Sequence, residues 1–205
     1  MNEQQALIDK LRGALDRDDA IALLRSAIRH QSITGSEANF VGFLEAEMRL
    51  RKIDEVAVED FLPGRPNISG EYKGSGGGKR LLFVGHTDTV HVDGWREHWA
   101  GTEREDPFAA PLIDGKIWGR GAGDLKAGIC TSLAAHSLLE RAGMRLKGDL
   151  AFAFIGDEES GQPATGVSAG IKDYTARIEA GEITRPDFTI YVEPTQLAVY
   201  LVVTA

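Results

Sequence analysis

The residues of this sequence that could do chemistry are one histidine and several carboxylates, and they follow short apolar runs. His86 and Asp88 come directly after one apolar run, Glu158 and Glu159 come after a second, and Glu193 comes after a third. A mixed set of imidazole and carboxylate groups suits zinc, with cobalt or manganese as substitutes. A carboxylate shared between two ions would account for the number of acids.

Asp124 stands in a glycine-rich segment before a long helical pattern, and it completes an even spacing along the chain. The intervals from His86 to Asp124, from Asp124 to Glu159 and from Glu159 to Glu193 are 38, 35 and 34 residues. Each interval fits one strand-helix-strand unit, which takes ~30 residues or more. Taken one by one, such acids are more typical of solvated turns, but their shared position after successive strands predicts one pocket. So much negative charge would need cations to stay ionised.

The apolar runs predict strands that are buried on both faces of a sheet, because they lack the alternation of half-buried strands. Helical patterns that end at glycines separate these strands. The alternation predicts a layered α/β fold with a mainly parallel mixed sheet and helices on both faces. In such sheets ligands bind outside the carboxyl ends of the strands, where the histidine and the acids stand. The predicted strands are 81–84, 150–155 and 188–192, and the predicted helices are 125–141 and 167–180.

The first part of the chain has a different pattern. Apolar residues at helical spacing predict two amphipathic helices, at 19–30 and 36–50. Candidate strands follow at 55–61 and 67–72, and the glycine cluster at 74–78 predicts a turn or a flexible loop.

Composition restricts the class of protein and of partner. The 205 residues are 42% hydrophobic and carry a formal charge of −8, which fits a single domain over 1–205 and disfavours nucleic acid as a partner. The opening residues lack the pattern of a secretory signal, and no apolar run reaches the ~18–20 residues of a membrane helix. We therefore expect a soluble, cytoplasmic protein with no membrane partner. Its single cysteine, Cys130, is expected to be buried and inert.

Four segments carry the candidate residues: Val84-Gly85-His86-Thr87-Asp88-Thr89-Val90, Gly119-Arg120-Gly121-Ala122-Gly123-Asp124-Leu125-Lys126-Ala127-Gly128, Gly156-Asp157-Glu158-Glu159-Ser160-Gly161 and Val192-Glu193-Pro194-Thr195. In this order they resemble the family of acetylornithine deacetylase, succinyl-diaminopimelate desuccinylase and glutamate carboxypeptidase. The resemblance implies a zinc-exopeptidase-like catalytic domain that hydrolyses an amide bond in a small N-acyl amino acid or dipeptide. Deacetylase, desuccinylase and carboxypeptidase activities all stay open at this point.

The resemblance also implies a role for each candidate metal ligand. In a co-catalytic dizinc site of this kind, Asp124 would bridge the two metals. His86 and Glu193 would complete the ligands of one metal, and Glu159 would bind the other.

The remaining roles concern proton transfer and positioning. The resemblance implies that Glu158 is the general base, which takes a proton from water and passes it to the leaving nitrogen. Asp88 would accept a hydrogen bond from the His86 ring and fix its tautomer. A cis peptide bond between Asp124 and Leu125 is a further expectation.

The chain ends at 199–205, about where the lid domain of such enzymes would begin, so the resemblance implies a catalytic domain that is incomplete at its C-terminal end. The family's last metal ligand is a histidine beyond the lid, and none of the five histidines here follows Glu193. We therefore expect the site of His86, Asp124 and Glu193 to bind metal, while the metal of Glu159 lacks one ligand. Uncovered apolar surface would favour a homodimer. The alternative is a truncated chain that folds, binds at most one metal and catalyses nothing.

Two other motifs suggest different enzymes. The segment 166–170 matches the G-x-S-x-G pattern of a serine hydrolase, but no strand is predicted before it and no histidine follows Ser168. The segment 74–79 imitates a phosphate-binding loop, yet it precedes a strand and lacks the Gly-Lys-Ser/Thr ending. Neither motif is expected to be a site.

Overall fold

The computed structural model describes residues 2–159 and 165–195, which form a central sheet with helices packed on it. The end of the chain at 199–205, where a missing lid was expected to begin, lies outside the described residues. The helices are α1 (Glu3–Gly13), α2 (Arg17–Arg29), α3 (Ala38–Leu50), α4 (Trp95–Trp99), α5 (Gly128–Arg141) and α6 (Ala169–Glu179). The strands are β1 (Asp54–Leu62), β2 (Arg65–Tyr72), β3 (Leu81–His86), β4 (Leu112–Ile113), β5 (Lys116–Ile117), β6 (Leu150–Ile155) and β7 (Phe188–Tyr191).

The main sheet has the strand order β1-β2-β6-β3-β7, and β4 pairs with β5 in a separate small hairpin. Strand β2 is antiparallel to both of its neighbours, whereas β3 is parallel to β6 and to β7. Four of the five strands therefore run in one direction, and the prediction of a mainly parallel mixed sheet is confirmed. The register places His86 beside Ile155, so β3 and β6 end at the same edge.

Strand β6 shows how the sheet acquires a core on each face. Its six residues are all buried, and successive side chains point to opposite faces. Phe152 and Phe154 pack in the cluster that includes buried residues of α2, α3 and α5. Ala153 and Ile155 belong to a second cluster with Tyr174 of α6. The expected helices on both faces are confirmed.

The helices differ from the sequence predictions at their ends and in number. The helix expected from residue 125 begins at Gly128, because residues 122–127 form a kinked segment whose backbone is not helical at Asp124 and Leu125. Helix α1 was not predicted, and none of its residues is buried. The short helix α4 and the β4–β5 hairpin were also not predicted. In the described part of the chain, no helix is long and apolar enough to cross a membrane.

Cys130 and the glycine cluster agree with their predictions. Cys130 is a free thiol in α5, and burial raises its pKa to about 12, which fits an inert group. The glycine cluster forms bends next to the backbone of residue 148. A side chain at Gly78 would lie 2.2 Å from the Gly148 nitrogen, so a close approach of two backbone segments explains that glycine.

Gly128 at the start of α5 gives a prediction for stability. A Cβ atom there would lie 1.9 Å from the backbone oxygen of Val192, one residue after the end of β7. We expect Gly128→Ala to lower the free energy of unfolding by about 1–3 kcal/mol, because backbone has to move to make room. Urea denaturation would measure this loss. Gly42→Ala in α3 is the matched control, since nothing lies within 4 Å of its new methyl group. Equal unfolding midpoints for the two variants would contradict the prediction.

Candidate metal centre

His86 is the centre of the site. It is the last residue of β3 and is 1% exposed. Its Nε2 atom lies 2.9 Å from Asp124 Oδ1, 3.4 Å from Glu193 Oε1 and 3.8 Å from Glu158 Oε2. Glu158 follows β6 and Glu193 follows β7, so the parallel strands bring these acids to the end of β3. The convergence that the spacing predicted is present in the structure.

Three of the predicted metal ligands form a close set. One ligand atom each from His86, Asp124 and Glu159 lies within 4.8 Å of the other two. Two ligands about 2.0–2.2 Å from one tetrahedral ion lie roughly 3.3–3.6 Å apart, and ligands of two neighbouring ions lie somewhat farther apart. The donors are an imidazole nitrogen and carboxylate oxygens, a set that fits zinc. The sequence expectation that Glu159 binds a different metal from His86 stays a prediction, and Glu193 Oε1 also lies close to His86 Nε2, at 3.4 Å.

The ionisation of the site reflects its crowded negative charge. Burial raises the pKa of Glu193 and of Glu159, and the charge of Asp124 raises both further. Burial alone would lower the pKa of His86, but the charges of Asp88, Glu158 and Glu193 outweigh it and raise the pKa. Protons are therefore held at this cluster more tightly than on isolated side chains. A divalent cation among the same groups would have the opposite effect.

The His86 ring is oriented by backbone and not by a carboxylate. Its Nδ1 atom lies 2.9 Å from the backbone oxygen of Asp88, whereas the nearest carboxylate oxygen of Asp88 is 3.7 Å away. We assign the proton to Nδ1, which donates to that carbonyl and leaves Nε2 free to face the acids. The Asp88 carboxylate instead accepts from the backbone N–H groups of Glu158 and Glu159 and from the Thr34 hydroxyl.

Asp124 is held by the buried residues that follow it. The peptide bond to Leu125 is cis, as expected, and the Leu125 side chain is fully buried. The next residue, Lys126, is 1% exposed, and its ammonium group donates to the backbone oxygens of Ala27 and His30. Burial lowers the pKa of Lys126 to about 7. The Asp124 carboxylate itself is 59% exposed, so it stands at the surface of a firmly packed turn.

Sequence reasoning missed three residues that support the site: Thr34, Lys126 and Arg65. Lys126 and Arg65 reach backbone or carboxylate groups 28 or more positions away in the chain, and Thr34 reaches Asp88 across 54 positions. Lys126 lies within the segment Gly119–Gly128 that resembles the family, and this position is the only sequence feature that could have pointed to it. For Thr34 and Arg65, no local sequence pattern identifies the residue that each contacts.

The two competing motifs lack the structural context that their chemistry needs. Ser168 precedes α6 with a positive φ of 58°, and the described residues before it, 165–167, form no strand. Residues 162–164, which were also expected to form no strand, lie outside the described residues. The glycines at 74–78 link β2 to β3 and precede no helix, so they make no phosphate loop.

The chain was compared with protein families and with curated proteins. The model of peptidase family M20/M25/M40 matches residues 82–203. A succinyl-diaminopimelate desuccinylase of Beijerinckia indica is 34% identical over 179 residues, which is 87% of this chain and 44% of that protein. The enzyme of the same name from Gluconacetobacter diazotrophicus is 33% identical over 183 residues, which is 86% of this chain and 43% of that protein. The chain thus spans less than half the length of the curated relatives it matches.

Solved structures show the same fold. The human carnosine dipeptidase 1 structure matches with a TM-score of 0.74 at 20% identity, over 89% of this chain and 40% of that one. The M20 family metallo-carboxypeptidase Sso-CP2 from Sulfolobus solfataricus matches with a TM-score of 0.68 at 21% identity, over 84% of this chain and 37% of that one. The family match over residues 82–203, together with the curated relatives, establishes that this chain belongs to peptidase family M20/M25/M40.

Proposed function

We propose that this chain carries the metal centre of a hydrolase that cleaves an amide bond in a small N-acyl amino acid or dipeptide. The observation that carries the proposal is the convergence of His86, Asp124 and Glu159 within 4.8 Å of one another. Family membership supports the same activity, since the family is one of peptidases.

The metal would be held by the histidine and the acids around it. His86 would bind through Nε2, because Nδ1 is taken by the backbone oxygen of Asp88. Asp124, Glu159 and Glu193 would supply carboxylate oxygens, with Asp124 as the bridge if two ions bind. A zinc ion bound here would polarise the scissile carbonyl and acidify a water molecule. Cobalt or manganese could take the same ligands.

Glu158 is the best placed general base. Its carboxylate lies 3.8 Å from His86 Nε2 and is 41% exposed, so it borders the metal centre and is open to a substrate and water. Its backbone N–H is fixed by Asp88, which leaves the side chain free to transfer a proton. Glu158 would take the proton from the attacking water and deliver it to the leaving nitrogen. Asp88 would be a positioning residue that holds both neighbouring acids through their backbone.

The relatives guide the choice of substrate. Curated relatives are named succinyl-diaminopimelate desuccinylase, and one structural neighbour is a carnosine dipeptidase. An N-succinyl amino acid is therefore the first substrate to test, followed by N-acetyl amino acids and dipeptides. The single domain over 1–205, the cytoplasmic location, the homodimer and the absence of nucleic-acid and membrane partners stay predictions. The alternative of a chain that binds at most one metal and catalyses nothing has no observation that favours it.

The experiment that tests the proposal is the zinc content of the purified chain. Elemental analysis after dialysis against zinc and then against buffer should find about one or two zinc ions per chain, since the ligands described above suffice for at least one. Hydrolysis of an N-succinyl amino acid by the zinc-loaded chain would complete the test. A chain without bound zinc would contradict the proposal, and a zinc-loaded chain without hydrolysis would favour the non-catalytic alternative.

A further inference from the structure

We propose that Arg65 is a positioning residue for the segment that carries Glu158 and Glu159. It would act through the buried carboxylate of Asp157, the residue before them. The inference rests on the proposed function, since it assigns these two acids to the metal centre.

The Arg65 side chain joins two buried acids. It begins β2 and is 11% exposed, and its Nη1 atom lies 2.9 Å from Asp157 Oδ1. Its Nε atom donates to Glu37 Oε2 at 3.1 Å, and Nη2 donates to the other Glu37 oxygen. The guanidinium carbon of Arg65 lies over the Phe61 ring, 5.1 Å from the ring centroid. A planar group with several donors is needed to reach both acids at once.

The Asp157 carboxylate contacts Arg65 and the backbone before and at the start of α6. The φ of Asp157, 69°, is in the left-handed region, two residues after the end of β6. Its carboxylate accepts from the backbone N–H groups of Gly166, Val167 and Ala169 at the start of α6, in addition to pairing with Arg65. The Asp157 side chain is therefore an anchor for the loop and makes no contact with His86 among those described.

The anchor has consequences for the next two residues. Glu158 and Glu159 follow Asp157 directly, and their backbone N–H groups are held from the other side by the Asp88 carboxylate. The segment is thus fixed between two buried acids, of which Asp88 is in the motif of His86 and Asp157 depends on Arg65. A shift of Asp157 would move the Glu159 oxygen out of the set that it forms with His86 and Asp124.

The charges explain why Arg65 cannot be replaced by an apolar side chain without effect. Glu37 and Asp157 are both completely buried, and Arg65 is the cation that contacts both. Without it the two carboxylates would face each other in a buried space, and like charges there repel strongly. The loss of this shared cation would weaken the hold of Asp157 on the loop, and Glu158 and Glu159 would be placed less firmly.

The test compares zinc affinity in variants of the 205-residue chain. Arg65→Met is expected to weaken zinc binding about 10- to 100-fold, the usual effect of losing a group that orients a ligand. Arg65→Lys should be intermediate, because one ammonium cannot bridge both acids. Competition with a chelator gives the affinities, and the absorption spectrum of the cobalt-loaded chain reports whether the ligand geometry has changed. Arg177→Met is the control, since Arg177 of α6 also bridges two acids, Glu59 of β1 and Glu182, and neither of them is a predicted metal ligand.

Each outcome has a definite meaning. Weaker zinc binding and an altered cobalt spectrum in Arg65→Met, with normal values in Arg177→Met, would support the inference. Should Arg65→Met not fold, the same two measurements on Arg65→Lys decide, and wild-type values there would overturn the inference. If the wild-type chain binds zinc and the folded Arg65 variants bind it equally well, only the positioning role fails. If the wild-type chain binds no zinc, the proposed function fails and this inference fails with it.

Discussion

Replacing His86 by alanine is expected to lower the zinc affinity of this chain by at least about 100-fold. Structural zinc sites with about four ligands bind with roughly 10–16 kcal/mol, so each ligand contributes roughly 2–4 kcal/mol, and each 1.4 kcal/mol is a factor of ~10. His86 contributes more than a single contact, because it is the one nitrogen in the described ligand set and its ring is already oriented by the Asp88 backbone. Titration of the dialysed variant with zinc would measure the loss.

The control for this prediction is a histidine outside the site. His98 is exposed in α4 and contacts the Trp99 ring, so His98→Ala should bind zinc as the wild type does. Equal zinc affinity in His86→Ala and His98→Ala would contradict the assignment of His86 as a ligand.

Two further variants would decide which carboxylate shares a metal with His86. The resemblance implies Glu193, whereas the close set in the structure contains Glu159, and Glu193 Oε1 lies 3.4 Å from the His86 ring. If Glu159→Ala lowers zinc affinity as much as His86→Ala does, these two residues share one ion. A much smaller effect of Glu159→Ala, together with a large effect of Glu193→Ala, would restore the grouping expected from the sequence.

The sequence predicted the positions of the apolar strands well, but burial on both faces holds for β6 and not for β7, whose four residues are exposed. The run at 150–155 became β6 with every residue buried, and the acids that follow each strand met at one edge as parallel topology requires. Helix α1 was not predicted although Leu7, Ile8 and Leu11 recur at helical spacing, and none of its residues is buried in the structure.

The side chains that support the site could not be predicted from the sequence, because their contacts join residues far apart in the chain. Arg65 and Glu37 meet across 28 positions, and Thr34 meets Asp88 across 54. Such pairs are decided by how α3, β2 and the strand ends pack together, and neither partner has a local pattern that names the other. The same limit applies to Asp88, which was expected to serve the His86 ring with its carboxylate. Its backbone carbonyl does so instead, and the carboxylate is free to hold the loop of Glu158 and Glu159.

Replacing Glu158 by glutamine is expected to slow amide hydrolysis by about 10²–10⁴-fold, the usual contribution of a general base. Glutamine has nearly the same shape as glutamate, but its amide cannot accept the proton of the attacking water. The Glu158 side chain is partly exposed, and its backbone N–H still reaches Asp88 in the variant, so the loop should keep its position. We therefore expect kcat to fall while zinc content and KM stay close to the wild-type values. Hydrolysis of an N-succinyl amino acid by zinc-loaded chains would measure both constants.

The outcome separates a base from a metal ligand. A ligand variant such as His86→Ala should lose zinc and activity together, whereas Glu158→Gln should lose activity with its zinc retained. Glu179→Gln, at the exposed end of α6, is the control for removing one negative charge and should hydrolyse the substrate at the wild-type rate. Loss of zinc in Glu158→Gln would make Glu158 a ligand, and undiminished hydrolysis would mean that another group takes the proton. Since Glu159 is the next residue and also lies at the metal centre, Glu159→Gln is the variant to compare in that case.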